Sequence, residues 1–494
     1  MANMAEPIEQ SESAAEIMDR EGSKNFKLFQ DSVHGVMRFH PLIVKFIDTK
    51  VFQRMRNIKQ LSTTYLVFPA AAHNRFEHSL GVCYLAGEVM DELEKNSPNV
   101  WKEILPDPKE SEAVKLAIQI AGLLHDLGHG PFSHTWEVFV QACGGDWDHE
   151  HTSCALIDLM IWKSEDGKEP IQRDDNLTEL GWLFKAEFNE VNKYIQFIKD
   201  VIIGVTQDKI KEPKRAFLYQ VVANKFNDID VDKYDYFLRD AQHLKMNVSF
   251  DYQRLIKLCR ISYDDNKMSH IAFRDVEKYS IQGMFRVRAD LHIRAYQHRV
   301  VKNLEIMLID ALKEADAKYL VRGLRLSQVH ENPAIFATLT DSIQELLLYS
   351  EEPELESTRE LLDRLATRNL YKIVGEWPLK VAQSEEEKLQ NRAPKGLNRK
   401  ILNELEEILE GKYALTQVGV NQGKYFDPLA NVKFFPKHER RMMEGNVPQM
   451  KMELPFFKVL VFKRGREEDN LEDLKKKAED FLKTKGILFL NQGQ

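Results

Sequence analysis

The 494-residue chain is short of the features that would place it across a membrane, outside the cell or on a polyanion. Its four cysteines (Cys83, Cys143, Cys154, Cys259) form no CxxC pair and no zinc-finger spacing. That excludes a disulfide framework and a cysteine-built metal site, and it is the usage of a reduced intracellular protein. No apolar run approaches the roughly 18 uncharged residues of a spanning helix, so no membrane partner is expected. The N-terminus, M-A-N-M-A-E-P-I-E-Q-S-E-S, has neither a basic n-region nor an apolar h-region, so no secretory signal is read there. Lysine and arginine number 69 against 77 aspartate and glutamate, a net charge of −8, so no global basic field draws the chain to nucleic acid. A run of five or more basic residues is also missing, which leaves nucleus and cytoplasm equally open. Repeats of solenoid length are absent.

What is present is a soluble globular composition, 43% hydrophobic and 30% charged, in a chain long enough for two or three domains. The pattern predicts a mainly α protein with a short N-terminal hairpin and a small C-terminal α+β lobe. Residues 1–24 read as a disordered tail and 25–383 as a helical catalytic domain. Residues 384–399 read as a linker, 400–463 as the α+β lobe, and 464–494 as a charged helix and tail. Phe26–Phe39 alternates and turns at His34-Gly35, which predicts the hairpin. Pro41–Asp48, Phe52–Leu61 and Arg75–Leu93 read as helices, and helices dominate to about residue 380.

The informative stretch is Ala121–His134, A-G-L-L-H-D-L-G-H-G-P-F-S-H. Before it, Val114, Ala117, Ile118, Ala121 and Leu124 mark one buried helix face. Gly128 and Gly130-Pro131 are expected to end that helix, because glycine tolerates the turn and proline cannot continue it. The helix thus delivers His125 and Asp126 at its end, with His129 and His134 just beyond. A lone histidine on an apolar face is usually a satisfied core residue. Here, however, seven of the 15 histidines (73, 78, 125, 129, 134, 149, 151) fall within 79 residues. Even spacing would give about two or three. Imidazole with carboxylate suits a divalent first-row metal such as iron, manganese or zinc.

Two other segments can join that cluster. His73-Asn74-Arg75-Phe76-Glu77-His78 offers an imidazole and a guanidinium. In N-D-I-D-V-D-K-Y-D-Y-F-L-R-D (227–240), Asp232, Tyr236 and Asp240 share a helical face with Lys233 beside them. Arg288, His292 and Tyr296 recur at i, i+4 and i+8, a cation, an imidazole and a phenol that suit a phosphate tail leading to a sugar. Acidic and basic faces of this kind are also ordinary solvated surfaces.

The blocks R-F-E-H-S-L-G-V, H-D-L-G-H-G-P-F-S-H and D-V-D-K-Y-D-Y-F-L-R-D resemble the signature of the HD-domain phosphohydrolases. Within that family they resemble the animal deoxynucleoside triphosphate (dNTP) triphosphohydrolases that carry a sterile-alpha-motif domain. The similarity runs from about Lys27 to about Leu370. No such domain precedes it here, so the chain is expected to match the catalytic core or a paralogue.

The resemblance implies a metal held by His78, His125, Asp126 and Asp232, with magnesium on the nucleotide phosphates. Arg75, His129, His134, Lys233, Tyr236 and Arg288 are expected around the triphosphate, and the helical spacing adds His292 to the substrate-binding residues. Gln60, Leu61, Asp240, Tyr296 and Gln297 are expected around the deoxyribose, where Tyr296 and Leu61 would leave no room for a 2′-hydroxyl. The family reaction uses metal-activated water on the α-phosphorus and releases deoxynucleoside and tripolyphosphate. His134 and His149, with Glu150 as orienter and His129 nearby, are candidates to protonate the leaving oxygen.

The resemblance further implies activation by GTP, dGTP or dNTP with assembly from dimer to tetramer. Lys27, Leu28, Asp48, Gln53, Arg56, Arg254, Arg274 and Arg299 are the matching positions. Val276, Ser280 and Val36 depart from that pattern, which points to altered allostery. Roles in dNTP catabolism and antiviral defence are implied by the resemblance alone. Two alternatives remain: an HD phosphatase or phosphodiesterase on a smaller nucleotide, and a non-catalytic paralogue binding single-stranded nucleic acid.

Overall fold

The computed structural model describes residues 26–163, 172–173, 176–248, 250–380, 397–420, 428–436, 443–444, 456–465 and 471–489. The expected N-terminal tail lies outside these residues, as does the expected linker up to residue 396. The architecture is mainly helical, with the expected hairpin at the start and a sheet lobe towards the end.

Strands β1 (Lys27–Asp31) and β2 (Gly35–Phe39) pair antiparallel, with Asp31 opposite Gly35. Met37 and Phe39 face the core, as period-2 alternation requires. The expected single helix over 52–61 is instead a short α-turn, Lys50–Gln53, followed by a 3-10 turn, Arg54–Asn57. The cause is Arg54, which is buried and commits its guanidinium to distant carbonyl groups, as described below.

The heart of the molecule is an antiparallel pair of long helices, α1 (Arg75–Asn96) and α2 (Pro108–Leu124). A capping box starts α1: Asn74 accepts from the backbone N–H of Glu77, whose carboxylate accepts from the Asn74 N–H at 2.7 Å. Pro108 and the Asp107 cap start α2. The further helices that carry the site are α3 (His134–Ala142), α4 (His149–Ile161) and, after two intervening helices, α5 (Val231–Leu244). After the strands β3 (Arg260–Tyr263) and β4 (Ser269–Arg274) come α6 (Lys278–Leu291) and α7 (Arg299–Ala315). Between α6 and α7, His292–Tyr296 is π-helical rather than a continuation of α6.

The C-terminal lobe differs in its limits from the expected 400–463. Its sheet has the order β10-β5-β9-β6, where β5 is Lys372–Lys380, β6 Tyr413–Val420, β9 Phe456–Lys463 and β10 Leu488–Phe489. It therefore draws a strand from well before residue 384. Two further strands, β7 (Lys433–Phe435) and β8 (Met443–Glu444), leave the lobe, and β7 pairs in parallel with β4 of the main body. Along β9, Phe457, Val459 and Val461 enter the lobe's own core, while Leu460 and Phe462 enter the main core. That two-sided burial explains why F-F-K-V-L-V-F is apolar at every position but Lys458. Helices α8 (Arg399–Ile408) and α9 (Leu471–Thr484) cover the outer face through Leu402, Leu405, Ala478 and Leu482. The charged C-terminal helix is thus part of the lobe.

Candidate functional site

The four proposed metal ligands come from three helices and converge. His78 lies on α1, His125 and Asp126 follow the last turn of α2, and Asp232 lies in the first turn of α5. His78 Nε2 is 3.1 Å from Asp232 Oδ1 and 3.3 Å from Asp126 Oδ2. His125 Nε2 is 3.4 Å from Asp126 Oδ1 and 3.5 Å from Asp232 Oδ1. The rings of His78 and His125 meet edge to face, with centroids 5.2 Å apart.

Each imidazole has its other nitrogen tied down. His78 Nδ1 donates to Asp235 Oδ2 at 2.7 Å, and His125 Nδ1 donates to the Gly122 carbonyl at 2.8 Å. Both Nε2 atoms are buried and, among the described residues, make no hydrogen bond of their own. Buried imidazole nitrogens without partners, aimed at two carboxylates, are what a divalent cation satisfies. Metal–ligand bonds of about 2.0–2.2 Å place neighbouring ligand atoms about 3.0–3.5 Å apart, the spacing seen here. The set fits a divalent metal.

Electrostatics agree. Burial alone would lower the His78 pKa, yet the nearby Asp126, Asp232 and Asp235 carboxylates raise it well above the usual imidazole range. Burial would raise Asp126, but Arg75, His125 and His129 hold its carboxyl well below the usual range. Arg75 Nη1 donates to Asp126 Oδ2 at 2.6 Å, so one cation already faces the acid from the cavity side.

Beside the four ligands lies a cavity of about 550 Å³. It is lined by Arg75, Asp126, His129, His134, His149 and Glu150, together with Asp232, Tyr236, Arg288 and His292. Gln60, Leu61, Asp240, Tyr296 and Gln297 complete the same wall. Asp232, Tyr236 and Asp240 face the cavity from α5; Arg288, His292 and Tyr296 face it across the junction of α6 and the π-helical turn. The wide π turn is a common device at functional sites, and here it aims His292 and Tyr296 inward.

Two expected contacts are placed differently. Lys233 does not line the cavity; its Nζ binds Asp230 at 3.1 Å, in the N-terminal turn of α5. Gln297 reaches the cavity wall, but its side-chain amide exchanges two hydrogen bonds with the Gly419 backbone of β6, at 2.7 and 2.9 Å. By contrast, Gln60 Oε1 is buried in the wall with no partner among the described residues, which leaves it to a ligand donor.

Among the candidate proton donors, His129 and His149 stack with centroids 3.9 Å apart, and His134 meets both rings edge-on. Burial, then the charge of Arg75, holds His129 well below the usual imidazole range. His134 stands at the exposed rim and contacts Glu137 at 3.4 Å, while Glu137 is 3.9 Å and Glu150 3.5 Å from His149. Sequence reasoning misses Glu137, although its i+3 position after His134 is an available signal. It also misses the role of His73, whose Nε2 holds Asp240 Oδ1 at 2.6 Å, while Tyr296 donates a short hydrogen bond to Asp240 Oδ2.

The loop carrying these histidines is held from behind. Arg54 donates to the carbonyls of Leu127, His129 and Leu339. Asp341 accepts from the N–H groups of Lys59 and Phe132 at 2.8 and 2.6 Å, and burial pushes its carboxyl up to about 7. Phe132 and Ser133 have φ of 58° and 54°, so the strained residues of the loop are not glycines. Gly128 and Gly130 are required for close approach instead. A Cβ on Gly128 would lie 2.2 Å from the His149 carbonyl oxygen, and one on Gly130 would meet the Trp136 ring at 2.4 Å.

The proposed regulatory residues lie away from this cavity. Lys27, Asp48, Arg56 and Arg299 are exposed and Leu28 is half-buried. Gln53 accepts from Arg56 Nε at 2.7 Å; Arg254 pairs with Glu277 at 2.6 Å, and Arg274 ends β4.

Comparison with known proteins places residues 75–153 in the HD domain family, described as "HD domain". The chain is 38% identical over 439 residues to "Deoxynucleoside triphosphate triphosphohydrolase SAMHD1" of Gallus gallus, covering 85% of this chain and 68% of that protein. The protein of that name from Homo sapiens is 39% identical over 367 residues, covering 71% of this chain and 55% of its own length. A homologue from Dictyostelium discoideum is 37% identical over 371 residues, covering 75% of this chain and 64% of its own length. The chain thus spans between 55% and 68% of the length of these three relatives.

Proposed function

The chain belongs to the SAMHD1 family of HD-domain phosphohydrolases, and on that footing we propose that it hydrolyses dNTPs to deoxynucleoside and tripolyphosphate. The observation that carries the proposal is the convergence of His78, His125, Asp126 and Asp232 beside a cavity whose wall also holds Asp240 and Tyr296. Its volume lies within the roughly 300–1,000 Å³ of small-molecule sites.

The residues divide the work by charge and shape. Arg75 and Arg288 neutralise phosphate oxygens, with Arg75 held in line by Ser133 Oγ at 2.9 Å. Asp240, fixed by His73 and Tyr296, and the open Gln60 Oε1 receive the sugar 3′-hydroxyl. Tyr296 and Leu61 close on C2′, where a ribose hydroxyl would be excluded or buried unpaired. His78, His125, Asp126 and Asp232 would hold a divalent ion such as iron, manganese or zinc, which would supply Lewis acidity next to the α-phosphorus. His134, backed by Glu137, and His149, backed by Glu150, are placed to hand a proton to the departing 5′-oxygen.

Control by GTP or dGTP, with assembly from dimer to tetramer, belongs to the same proposal. What supports it is the exposure of Lys27, Asp48 and Arg56, two cations and an acid able to meet a guanine nucleotide. The test is product analysis of purified protein given dGTP and manganese, with and without GTP. Deoxyguanosine with tripolyphosphate is the expected outcome; dGMP or orthophosphate would move the activity to another class of phosphohydrolase.

A further inference from the structure

The side chain that orients His78 is itself held by the N-terminal hairpin. Asp235 lies on α5 three residues past Asp232 and is fully buried. Four donors meet its two oxygens. Oδ2 accepts from His78 Nδ1 at 2.7 Å and from Arg239 Nε at 2.9 Å. Oδ1 accepts from His34 Nε2 at 2.7 Å and from Arg239 Nη2 at 2.9 Å. Arg239 in turn donates to Asp31 at 2.9 and 3.3 Å, and Asp31 accepts the N–H groups of Val33 and His34, both at 2.9 Å.

The arrangement is more than a buried ion pair within one helix. Arg239 and Asp235 are i, i+4 neighbours and could satisfy each other alone. The hairpin adds the donor that fixes Asp235 Oδ1 and the acceptor that occupies the outer face of Arg239. From the third side α1 closes in: a Cβ on Gly81 would lie 1.8 Å from Asp235 Oδ1. The carboxylate has no room to rotate, so the ring it holds has none either.

We propose that the N-terminal hairpin is a working part of the metal centre, in which Asp31 and His34 are positioning residues that hold the His78 ring on the ion through Asp235 and Arg239. The proposal rests on the metal reading of the site given above. The direct partner of a ligating imidazole, here Asp235, changes metal affinity by roughly 10- to 100-fold, and Asp31 and His34 act through it.

The test uses the full chain stripped with chelator and titrated with Mn²⁺ alone by calorimetry, with melting of the metal-free protein measured in parallel. His34→Ala and Asp31→Asn should weaken Mn²⁺ binding by roughly 10- to 100-fold. His34→Gln, whose amide N–H can reach the same carboxylate, should recover most of the loss. A purely structural role predicts a lower melting temperature with Mn²⁺ affinity unchanged, and that result would overturn the proposal. Should His34→Ala fail to fold, Asp31→Asn, which keeps its volume, decides the matter by the same criterion. Wild-type protein that takes up no Mn²⁺ would instead overturn the metal reading itself, and the hairpin's role with it.

Discussion

At the scale of single residues, the chemistry sits in side chains that the surrounding protein holds in one orientation. Tyr296 donates a hydrogen bond from its hydroxyl to Asp240, which fixes its ring in the cavity wall, and the proposed function puts C2′ of the sugar against that ring. Tyr296→Ala should therefore relax discrimination against ribonucleotides, lowering the dGTP-to-GTP ratio of kcat/KM by about tenfold or more; an unchanged ratio would place the gate elsewhere. His292 gives a pH signature. Burial, then the charges of Arg288 and Lys302, pushes it down to about 3 from an ordinary 6.5. Below pH 6.5 the unfolded chain takes a proton that the folded His292 refuses, so stability is lost as pH falls towards 3. The drop in melting temperature between about pH 7 and about pH 5 should be smaller in His292→Gln than in wild type. At this scale the sequence is legible where residues recur at helical spacing, as at Asp232, Tyr236 and Asp240. It is opaque where partners are far apart in the chain. Nothing local marks His73 as the holder of Asp240, or the Gly419 backbone as the partner of Gln297.

At the scale of elements, the histidine loop works because other elements come close enough to fix it. Within the loop, Gly128 makes the closest approach, against the first turns of α4. Gly128→Ala should push that helix, and His149 with it, away from the site. The expected result is a lower melting temperature and a kcat reduced more than KM is raised; steady-state kinetics on the folded fraction checks it. From sequence alone this glycine is expected to serve chain reversal. The structure gives it a different task, since the positive φ values fall on Phe132 and Ser133. The expected helix over 52–61 breaks for a related reason. Local propensity favours continuing it, but burial of Arg54 against three carbonyls outweighs propensity. The hairpin and the two long helices, by contrast, are where their patterns put them, because one-sided burial leaves a periodic trace.

At the scale of the whole molecule, the C-terminal lobe is fastened to the helical body and completes the cavity. Arg464, just after β9, pairs with Asp310 of α7 at 2.7 and 2.9 Å and with Glu406 of α8 at 3.2 Å. It also donates to the carbonyls of Gly411 and Tyr413. From the lobe, Arg399 and Thr416 reach the cavity wall. Arg464→Ala should loosen that docking, lowering the melting temperature and raising KM for dNTP more than it lowers kcat. An unaltered KM would show that the lobe does not shape the site. The lobe is the least legible part of the chain. Its sheet is assembled from strands separated by long segments, and β7 and β8 join a different sheet, a pairing that no local pattern announces.

The central claim is that two imidazoles and two carboxylates from three helices hold one cation. Anomalous scattering from crystals grown with manganese tests it most directly. A single strong peak about 2.0–2.2 Å from His78 Nε2, His125 Nε2 and oxygens of Asp126 and Asp232 is the predicted result. A peak bound by other residues, or none between these four side chains in manganese-loaded crystals, would contradict it.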